Sequence, residues 1–536
     1  MTHAARPTRR RLLAATAALT CSFWALPAFA ADPIKIGLIT ALSGQSALAG
    51  EAITRGLTVA IDEINAKGGL LGGRKLELVR RDDEANPAKG VLAARELIYR
   101  EKVAVIFGGL DTPVSMAIVP LINQEKVPFM GPWAAGTPIT KNGANPNFAF
   151  RVSAVDEIVN VGMLDYAQKN FKSSKPGMIL VNNPWGESNE KGLHAALAAK
   201  GMKAVAVEKF EGNDVDVVPQ LTRLKAAGAD TLFMVGNVGP SAQVVKSLDR
   251  MGWQVPIVSH WGPAGGRFTE LAGPNGKNVH FVQTYSFFGD QGPVGQKVIA
   301  ALKAKYPAIK GPDDITPAVG VANAYDGMML AALAISAAGS TDGDAVRQGF
   351  YKIGKYEGLI KTYEQPFKPG VHDAVNSTDY VWAQFIDNRI VPVGVTQPVN
   401  YRHDYLSYSV SVNYRVSEPF AMFARYSLGG RAAADKILFT AALSRSTGAL
   451  LDSGAGDDSV RQAEIGLKYR KDGLVLNLTG FHAKTDDTNS QILTNPVTGQ
   501  LELNSVTRAY EAYGLEFEGG FRRGPFSITA HATFTE

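Results

Sequence analysis

The chain has 536 residues, of which 45% are hydrophobic and 20% are charged. It is long enough for several packed domains, and its composition is not that of a disordered protein or of a bundle of membrane helices. The formal net charge is +5, but four arginines lie in the N-terminal leader, and without them the charge is about +1. Nucleic-acid binding needs a basic surface, so we expect no nucleic-acid partner.

The N-terminus has the pattern of an export signal. The basic run Arg9–Arg11 precedes an uncharged stretch, Leu12–Ala30, which ends in "AFA" before Ala31. This pattern predicts a signal peptide over residues 1–30, a mature chain that starts at Ala31, and a periplasmic location. A retained membrane anchor is the alternative, because the stretch approaches the roughly 20 apolar residues that span a bilayer.

Enzyme chemistry finds little support in the residue types and motifs. The only cysteine, Cys21, lies in the leader, so the mature chain would lack disulfides, cysteine nucleophiles and thiolate metal sites. Eight histidines are scattered without metal-ligand spacing. The motifs of zinc proteases, serine hydrolases and phosphate-binding loops are also missing from the sequence. We therefore predict a protein that is not an enzyme, with no metal and no cofactor.

Alternating strand and helix patterns define the region from Ile34 to about Phe288. Short apolar runs rich in β-branched residues alternate with amphipathic stretches, which is typical of βαβ units. The predicted strands are IKIGLIT, RKLELVRRDD, VAVIFGG and VPFMGP and, after a restart, FAFRVS, GMILVNN, AVAVEKF, TLFMVGN and VPIVSH. Two such sets predict an α/β protein of two lobes, each a doubly wound, mostly parallel sheet with helices on both faces.

Capping residues, glycines and prolines mark the helices. One helix is predicted from about Glu51 to Lys67, where two glycines end it. Asn86 and Pro87 open the next as N-cap and first-turn proline. Further helices are predicted from Thr112, which is placed to cap its helix, from about Asp156, and over Pro317–Gly339.

The sequence pattern changes after Val395. Six segments alternate apolar and polar residues with a period of two, which predicts an all-β antiparallel region with one apolar face. They are LSYSVSVNYRV, FAMFARYSL, AEIGLKYR, LVLNLTGF, YEAYGLEFE and FSITAHATF. The turn motifs KDG and RRGP predict that the last four segments form two hairpins. Polar loops are predicted over about Ala432–Val460 and Lys484–Arg508.

Four blocks in the first region carry a family resemblance. They are IKIGLITALSGQSALAG, AIDEINAKGGLLGGRKLELVRRDDEANPAKG, VAVIFGG and VPFMGPWAAGTPIT. In order and spacing they resemble the type I periplasmic binding proteins of hydrophobic amino-acid uptake systems, and the likeness extends to Val395. It implies a hinged trap, with lobe 1 at about 31–151 and 285–357 and lobe 2 at about 152–284 and 358–395. It also implies a small-molecule ligand that is passed to an inner-membrane ABC permease with ATPase subunits.

The last part of the chain is similar to a different family. The segments SVNYRVSEPFAMFARYS, QAEIGLKYR and YGLEFEGGF resemble the barrel of TonB-dependent outer-membrane receptors. The likeness implies a partial barrel over 406–536 after a junction at 396–405. About six strands are predicted, fewer than the eight of the smallest closed single-chain barrels. We therefore expect a gene fusion or an assembly artefact in which residues 31–395 carry the function. A soluble β-sandwich and a working outer-membrane receptor remain alternatives.

The resemblance also implies where the ligand is held. In lobe 1, the family grips the ligand carboxylate at the positions of Leu110, Thr112, Trp133, Ala134 and Ala135. A helix N-terminus suits a carboxylate, although Thr112 could instead be only a helix cap. The remaining contact positions align with Trp185, Asn237 and Trp261 in lobe 2 and with Tyr325 in lobe 1. Each of these could instead be a core residue.

One departure from the family concerns the ligand's ammonium group. Amino-acid binders of the family place an acidic residue where Trp261 aligns, and an unpaired buried cation would be costly. Asp111, Glu187 or Asp326 could take over that role. Otherwise the ligand is an aromatic or other apolar carboxylate, or an amide, for which a tryptophan wall is well suited.

Overall fold

The protein is described by a computed structural model that covers residues 32–386, 389–393, 406–431, 458–494 and 501–536. The predicted signal peptide (1–30) and junction (396–405) lie outside these residues. The chain divides into two units between Val393 and Gly394. The first is α/β and the second is all-β, as the sequence predicts.

Five parallel strands form the sheet of lobe 1, in the order β2-β1-β3-β4-β5. They are β1 (Ile34–Thr40), β2 (Leu76–Asp82), β3 (Val105–Gly108), β4 (Phe129–Gly131) and β5 (Ala149–Arg151). All five coincide with predicted strands, and their apolar side chains are almost all buried. This doubly wound order reverses between β1 and β3, where open α/β sheets form their ligand crevice.

Seven strands form the sheet of lobe 2, in the order β7-β6-β8-β9-β10-β13-β14. The first five are parallel and repeat the order of lobe 1, with the reversal between β6 and β8; the last two are antiparallel. The strands are β6 (Pro176–Val181), β7 (Ala206–Phe210), β8 (Thr231–Val235), β9 (Ile257–Ser259), β10 (Val279–Gln283), a separate hairpin of β11 (Lys355–Glu357) and β12 (Thr362–Glu364), then β13 (Val381–Ile386) and β14 (Arg389–Pro392).

Helices cover both sheets of this unit. They are α1 (Ala47–Ala66), α2 (Pro87–Arg95), α3 (Thr112–Gln124), α4 (Asp156–Phe171), α5 (Pro184–Ala199), α6 (Val218–Ala226), α7 (Val238–Arg250), α8 (Phe268–Ala272), α9 (Pro293–Lys305), α10 (Ala318–Ala338) and α11 (Gly343–Tyr351). The predicted N-cap of α2 is confirmed, because the Asn86 side chain accepts the Ala88 and Lys89 N–H groups. Helix α1 starts one turn before the predicted Glu51, at Ala47, and the one large apolar residue of that added turn, Leu48, is exposed and so lies outside the buried apolar stripe.

The chain passes between the two sheets three times. It leaves lobe 1 after β5, returns after β10 to build α9, α10 and α11, and goes back to lobe 2 for β13. Among the described residues, α10 is the helix long and apolar enough to cross a membrane, but it packs against α1, α11 and β4 and is mostly buried. We therefore interpret α10 as a core helix of lobe 1.

The second unit is a six-stranded antiparallel sheet in sequence order. Its strands are β15 (Tyr408–Ser417), β16 (Phe420–Arg431), β17 (Asp458–Lys471), β18 (Leu474–Thr494), β19 (Leu501–Arg523) and β20 (Phe526–Thr535). The six predicted strands and the turns at KDG and RRGP are confirmed. The predicted polar loop over Lys484–Arg508 is wrong. Strands β18 and β19 pair without a break, from Leu474 opposite Phe521 to Thr494 opposite Leu501. The ladder is made by the backbone, which needs no apolar alternation. Of the other predicted loop, only the last three residues are described, and they belong to β17.

Register sorts this sheet into an apolar and a polar face. One row on the apolar face consists of Val412, Ala424, Ile465, Gly480, Leu515 and Phe534. The adjacent row on the polar face consists of Asn413, Phe423, Gly466, Thr479, Glu516 and Thr533. The large side chains of the first row are exposed, at 72% for Phe534 and 65% for Val412. The alternation seen in the sequence therefore defines a true face of the sheet.

Candidate functional site

Most of the predicted ligand contacts lie at the carboxyl ends of the parallel strands in the two sheets. The segment after β3 carries Leu110 and Thr112, and the segment after β4 carries Trp133 to Ala135. From lobe 2, Trp185 follows β6, Asn237 follows β8, and Trp261 follows β9. Because these are the carboxyl ends of parallel strands, they form the edge at which α/β sheets bind ligands. We call this region the cleft.

Thr112 is buried at the first turn of α3. It is not the N-cap that the sequence predicts: Asp111 holds that position, and Thr112 is the first helical residue. The Thr112 Oγ1 accepts the N–H of Gly136 at 3.1 Å. A Cβ at position 136 would lie 2.3 Å from the Thr112 methyl group, so this approach requires glycine. Since the hydroxyl oxygen accepts, its proton remains available to a ligand oxygen.

Hydrogen bonds from buried side chains hold the loop from Trp133 to Gly136 in place. The fully buried Arg151 donates from Nη1 to the carbonyls of Ala134 (3.3 Å) and Gly136 (2.9 Å). Its Nε donates to Asp373 Oδ1 at 2.6 Å, which neutralises the buried guanidinium. Ser153 adds a bond to the Trp133 carbonyl at 2.6 Å. These bonds fix the backbone of the loop against lobe 1.

Aromatic rings from both lobes meet in the cleft. The rings of Trp133 and Trp261 lie 5.5 Å apart between centroids and come from opposite lobes. His260 stands edge-on to both Trp261 (5.5 Å) and Trp185 (5.2 Å). Trp185 is positioned by the N-cap Asn183, whose side chain accepts its N–H at 2.9 Å. Such walls suit an apolar ligand body.

Asp156 is the acidic residue that the sequence analysis missed. It begins α4, is fully buried, and donates its own N–H to the Ala135 carbonyl at 2.9 Å. Its Oδ1 accepts the indole N–H of Trp185 at 3.1 Å and lies 3.1 Å from His260 Nε2, while Oδ2 has no hydrogen-bond partner. The His260 Nδ1 accepts the Trp261 N–H at 2.8 Å. Among the described residues, no lysine or arginine forms an ion pair with this buried carboxyl group, and its contact is with His260.

Two helix N-termini face each other across the cleft. The Asn237 Nδ2, from the N-cap of α7, donates to Asp111 Oδ1 at 2.7 Å. Burial raises the pKa of Asp111, and the bond from Asn237 opposes that shift. Nearby, burial raises the pKa of Asp83 to about 7, helped by the charges of Asp111 and Asp82. One oxygen of Asp83 is buried without a hydrogen-bond partner.

Three predicted residues point elsewhere. Tyr325 is buried on the α1 side of α10 and donates its hydroxyl to Glu63 at 2.7 Å. Asp326 accepts from the backbone of the β11–β12 hairpin and from the Tyr363 hydroxyl (2.8 Å), so neither oxygen is free. Glu187 is exposed on the first turn of α5. Within the parts of the chain that the structure covers, no group of three or more His, Cys, Asp or Glu side chains could hold a metal ion.

Each of the two units matches a known protein family. Residues 33–377 match the family described as periplasmic binding protein. Residues 375–536 match the family described as TonB dependent receptor-like, beta-barrel. The second match begins before β13, although the structure pairs β13 and β14 with the sheet of lobe 2.

Known relatives resemble the first unit. The Leu/Ile/Val-binding protein homolog 3 of Brucella melitensis is 27% identical over 312 residues, 58% of this chain and 81% of the relative. A type 1 periplasmic binding protein from Bordetella pertussis Tohama I has a TM-score of 0.62 and 26% identity, over 68% of this chain and 100% of that chain. A solute binding protein from R. palustris in complex with 4-hydroxybenzoate shares the fold, with a TM-score of 0.59 and 24% identity over 68% of this chain and 96% of its own.

Proposed function

The chain belongs, over residues 33–377, to the periplasmic binding protein family, and we propose that its cleft traps a small carboxylate with an apolar body and a cationic group. The observation that carries this proposal is the composition of the cleft. A hydroxyl at a helix N-terminus, tryptophans from both lobes and a buried carboxyl group with one unpartnered oxygen meet within it. Such a set matches a hydrophobic zwitterion.

Each part of the proposed ligand corresponds to one part of the cleft. The ligand carboxylate accepts a hydrogen bond from the Thr112 hydroxyl and lies at the positive end of α3. The apolar body lies against the contacting rings of Trp133 and Trp261, which shield it from water when the lobes close. The cation is paired with Asp156, whose free oxygen otherwise remains buried at a cost in free energy. The printed name of the Brucella relative, a Leu/Ile/Val-binding protein homologue, agrees with such a ligand.

An aromatic carboxylate is the second candidate ligand. The R. palustris neighbour was solved with 4-hydroxybenzoate. Three tryptophans in the cleft would suit an aromatic ring, which offers stacking but no cation. In that case Asp156 accepts a ligand hydroxyl instead of an ammonium group.

The test is calorimetric titration of three proteins: the natural chain, Thr112→Val and Thr112→Ser. Each protein is titrated with leucine, isoleucine, valine and 4-hydroxybenzoate. Hydrogen bonds to charged groups are worth roughly 1.5 to 3 kcal/mol, so we expect Thr112→Val to weaken binding about 10-fold to 150-fold. Thr112→Ser keeps the hydroxyl and serves as the matched control. Equal affinity of Thr112→Val and the natural chain would remove Thr112 from the site, and no heat with any of the four ligands would contradict the proposed ligand classes.

The proposed partners and location follow from the family. Substrate-binding proteins of this family bind small molecules and work with ABC permeases. We propose an inner-membrane permease with ATPase subunits as the partner, export by a cleaved leader over 1–30, and the periplasm as the place of action. The lobe boundaries at 31–151 with 285–357 and at 152–284 with 358–395 are part of the same proposal.

The second unit supports a separate proposal. Its exposed apolar face and its match to a receptor barrel suggest a place in the outer membrane. There the apolar face would contact lipid. Outer-membrane location of the whole chain is the alternative function, and it would put the cleft beside that membrane as a tethered receptor.

A further inference from the structure

A basic pocket lies on lobe 1 and shares no lining residue with the cleft. Its walls are the loop from Thr140 to Asn147, the outer side of α11, and the turn around Gly370, and its volume is about 450 Å³. No Asp or Glu is among the residues that line it. Burial lowers the pKa of His372, so this histidine is neutral, and the basic side chains that line the pocket are Arg347 and Lys141, of which Lys141 is paired with Glu157.

Arg347 is the group in this pocket whose hydrogen bonds are incomplete. Its side chain is only 14% exposed, and Nε is buried with no hydrogen-bond partner. The Nη2 atom lies 3.6 Å from Asp344 Oδ1, which is longer than a hydrogen bond. Of the five N–H donors of this guanidinium, the buried Nε–H has no acceptor among the described residues, which costs free energy.

The position of the guanidinium is fixed by aromatic rings. It lies over Phe148, at 5.2 Å from the ring centroid, and beside Tyr351, at 5.8 Å. The Tyr351 hydroxyl is itself held by His372 at 2.8 Å. A side chain that is fixed before binding loses little entropy when an acceptor arrives.

The other nearby carboxylates are already engaged. Asp373 accepts from Arg151 and from the Thr140 hydroxyl, both part of the support under the cleft loop. Glu157 is paired with Lys141 at the rim. Among the described residues, Arg347 forms an ion pair with Asp344, which also pairs with Lys126, at a distance that allows a second anion.

We propose that this pocket binds a small oxyanion, a carboxylate or a phosphate group, through the guanidinium of Arg347, with Lys141 at its rim. The planar fork of a guanidinium matches two oxygens of such a group, which a lysine would not do. The turn around Gly370 falls in the range proposed for lobe 2, but His372 is bonded to Ala149 and Arg151 of β5, so all three walls are attached to the first sheet and binding does not depend on closure of the lobes.

The experiment is calorimetric titration of the full chain, in a non-ionic detergent, with inorganic phosphate and separately with acetate. Saturable binding of at least one anion is expected at millimolar concentration, and the stronger of the two identifies the source chemistry. Arg347→Gln should weaken it about 10-fold or more, and Arg347→Lys by less, because the charge remains but the fork is lost. The matched control is Arg267→Gln, since Arg267 also pairs with a carboxylate three residues away but is 70% exposed.

Two outcomes would overturn the proposal. One is the lack of saturable binding of either anion to the natural chain. The other is unchanged affinity in Arg347→Gln, which would put the anion elsewhere. Circular dichroism establishes that each variant is folded. If Arg347→Gln fails to fold, Lys141→Gln, a change at a 57% exposed side chain, replaces it, and its unchanged affinity would count against the proposal in the same way.

Discussion

Asp156 is fully buried, and no lysine or arginine among the described residues forms an ion pair with it. In Asp156→Asn, the amide oxygen can still accept the Trp185 N–H, so the local fold should persist. An ammonium ligand would lose its counter-charge, and we expect its affinity to fall about 10-fold or more. 4-Hydroxybenzoate, which has no cation, should bind at least as well as before. Titration of this variant with leucine and with 4-hydroxybenzoate decides whether the ligand carries an ammonium group or is an aromatic carboxylate.

The control for that variant is Glu187→Gln, which removes an acid that lies on the exposed first turn of α5. It should leave every affinity unchanged. If Asp156→Asn and Glu187→Gln behave alike towards leucine, Asp156 is not the counter-charge and the cationic group drops out of the proposed ligand.

Asp83 should make the stability of lobe 1 depend on pH. Burial raises its folded pKa to about 7, well above the ordinary aspartate value of 3.8. The folded state then binds the proton more tightly than the unfolded state, so this group costs stability as pH rises from about 4 to about 7. Asp83→Asn removes the cost, and we expect a higher denaturation midpoint than the natural chain at pH 8 and little difference at pH 4.

The neighbouring Asp82 provides a control of opposite sign. Burial acts to raise its pKa, but hydrogen bonds from the backbone of Leu42 and Glu84 and from Ser43 outweigh it, so the pKa is lowered. A lowered carboxyl pKa contributes stability above the unfolded pKa that is lost as pH falls. Asp82→Asn should therefore destabilise at pH 8. If both variants shift stability in the same direction at pH 8, burial of Asp83 is not the cause.

Strand ends could be predicted from the sequence, but side-chain direction could not. Thr112, Trp133, Trp185 and Trp261 follow strands whose patterns were clear, and the structure brings them together. Tyr325 lies on α10, which is apolar on all sides, so the residue spacing does not predict in which direction its side chain points. Asp156 was assigned only as a helix start, because its contact with Trp185 depends on the packing of α4 against α5.

At the scale of elements, the packing of α1 on α10 depends on a close approach at Gly56. A Cβ there would lie 2.3 Å from the Val321 carbonyl oxygen, a backbone atom that cannot move aside. We expect Gly56→Ala to destabilise the first unit by about 1–3 kcal/mol through overpacking. Urea denaturation followed by circular dichroism measures the loss.

A second helical glycine gives the matched comparison. At Gly162 in α4, a Cβ would meet nothing closer than 3.8 Å, at the Trp382 ring. Gly162→Ala should therefore stabilise by about 0.5–1 kcal/mol, because alanine loses less entropy in a helix. A loss of stability in both variants would show that the close approach at Gly56 is not what distinguishes them.

Elements with a strong period were predictable, and those without one were not. The strands of both sheets follow from apolar runs, and the hairpin at Lys471 to Leu474 follows from its turn residues, since Asp472 and Gly473 both have positive φ. The far ends of β18 and β19 have a polar sequence and were assigned to a loop. Their pairing comes from the backbone ladder begun nearer the turns, which residue types alone do not reveal.

At the scale of the molecule, the change from helical to alternating periodicity predicted the boundary at Val395, two residues from the observed one at Val393. The match to the binding-protein family stops earlier, at residue 377. The structure explains the difference: β13 pairs antiparallel with β10, and β14 closes on β13. The lobe 2 sheet thus needs a hairpin that the family match leaves out.

This difference leads to a prediction about shortened chains. A chain that ends at Val393 keeps β13 and β14, whose hairpin is closed by a bond from the Val393 N–H to the Trp382 carbonyl at 2.7 Å. It also omits the six-stranded sheet, whose exposed apolar face should cause aggregation in water. Every residue assigned to the cleft precedes Val393. We therefore expect this chain to bind ligand with the affinity of the full chain and to be far more soluble.

The comparison chain ends at Tyr380 and lacks β13 and β14. It removes Phe385, a buried side chain that stacks on Phe268 at 4.9 Å and packs against Phe281 at 4.7 Å, and it leaves β10 as an open edge. Truncating a buried phenylalanine alone costs about 3–5 kcal/mol, so this shorter chain should unfold or aggregate. Ligand titration and sedimentation of the three chains test the argument. Loss of binding in the chain that ends at Val393 would show that the second unit completes the functional fold, and a stable, ligand-binding chain that ends at Tyr380 would put the domain boundary before β13.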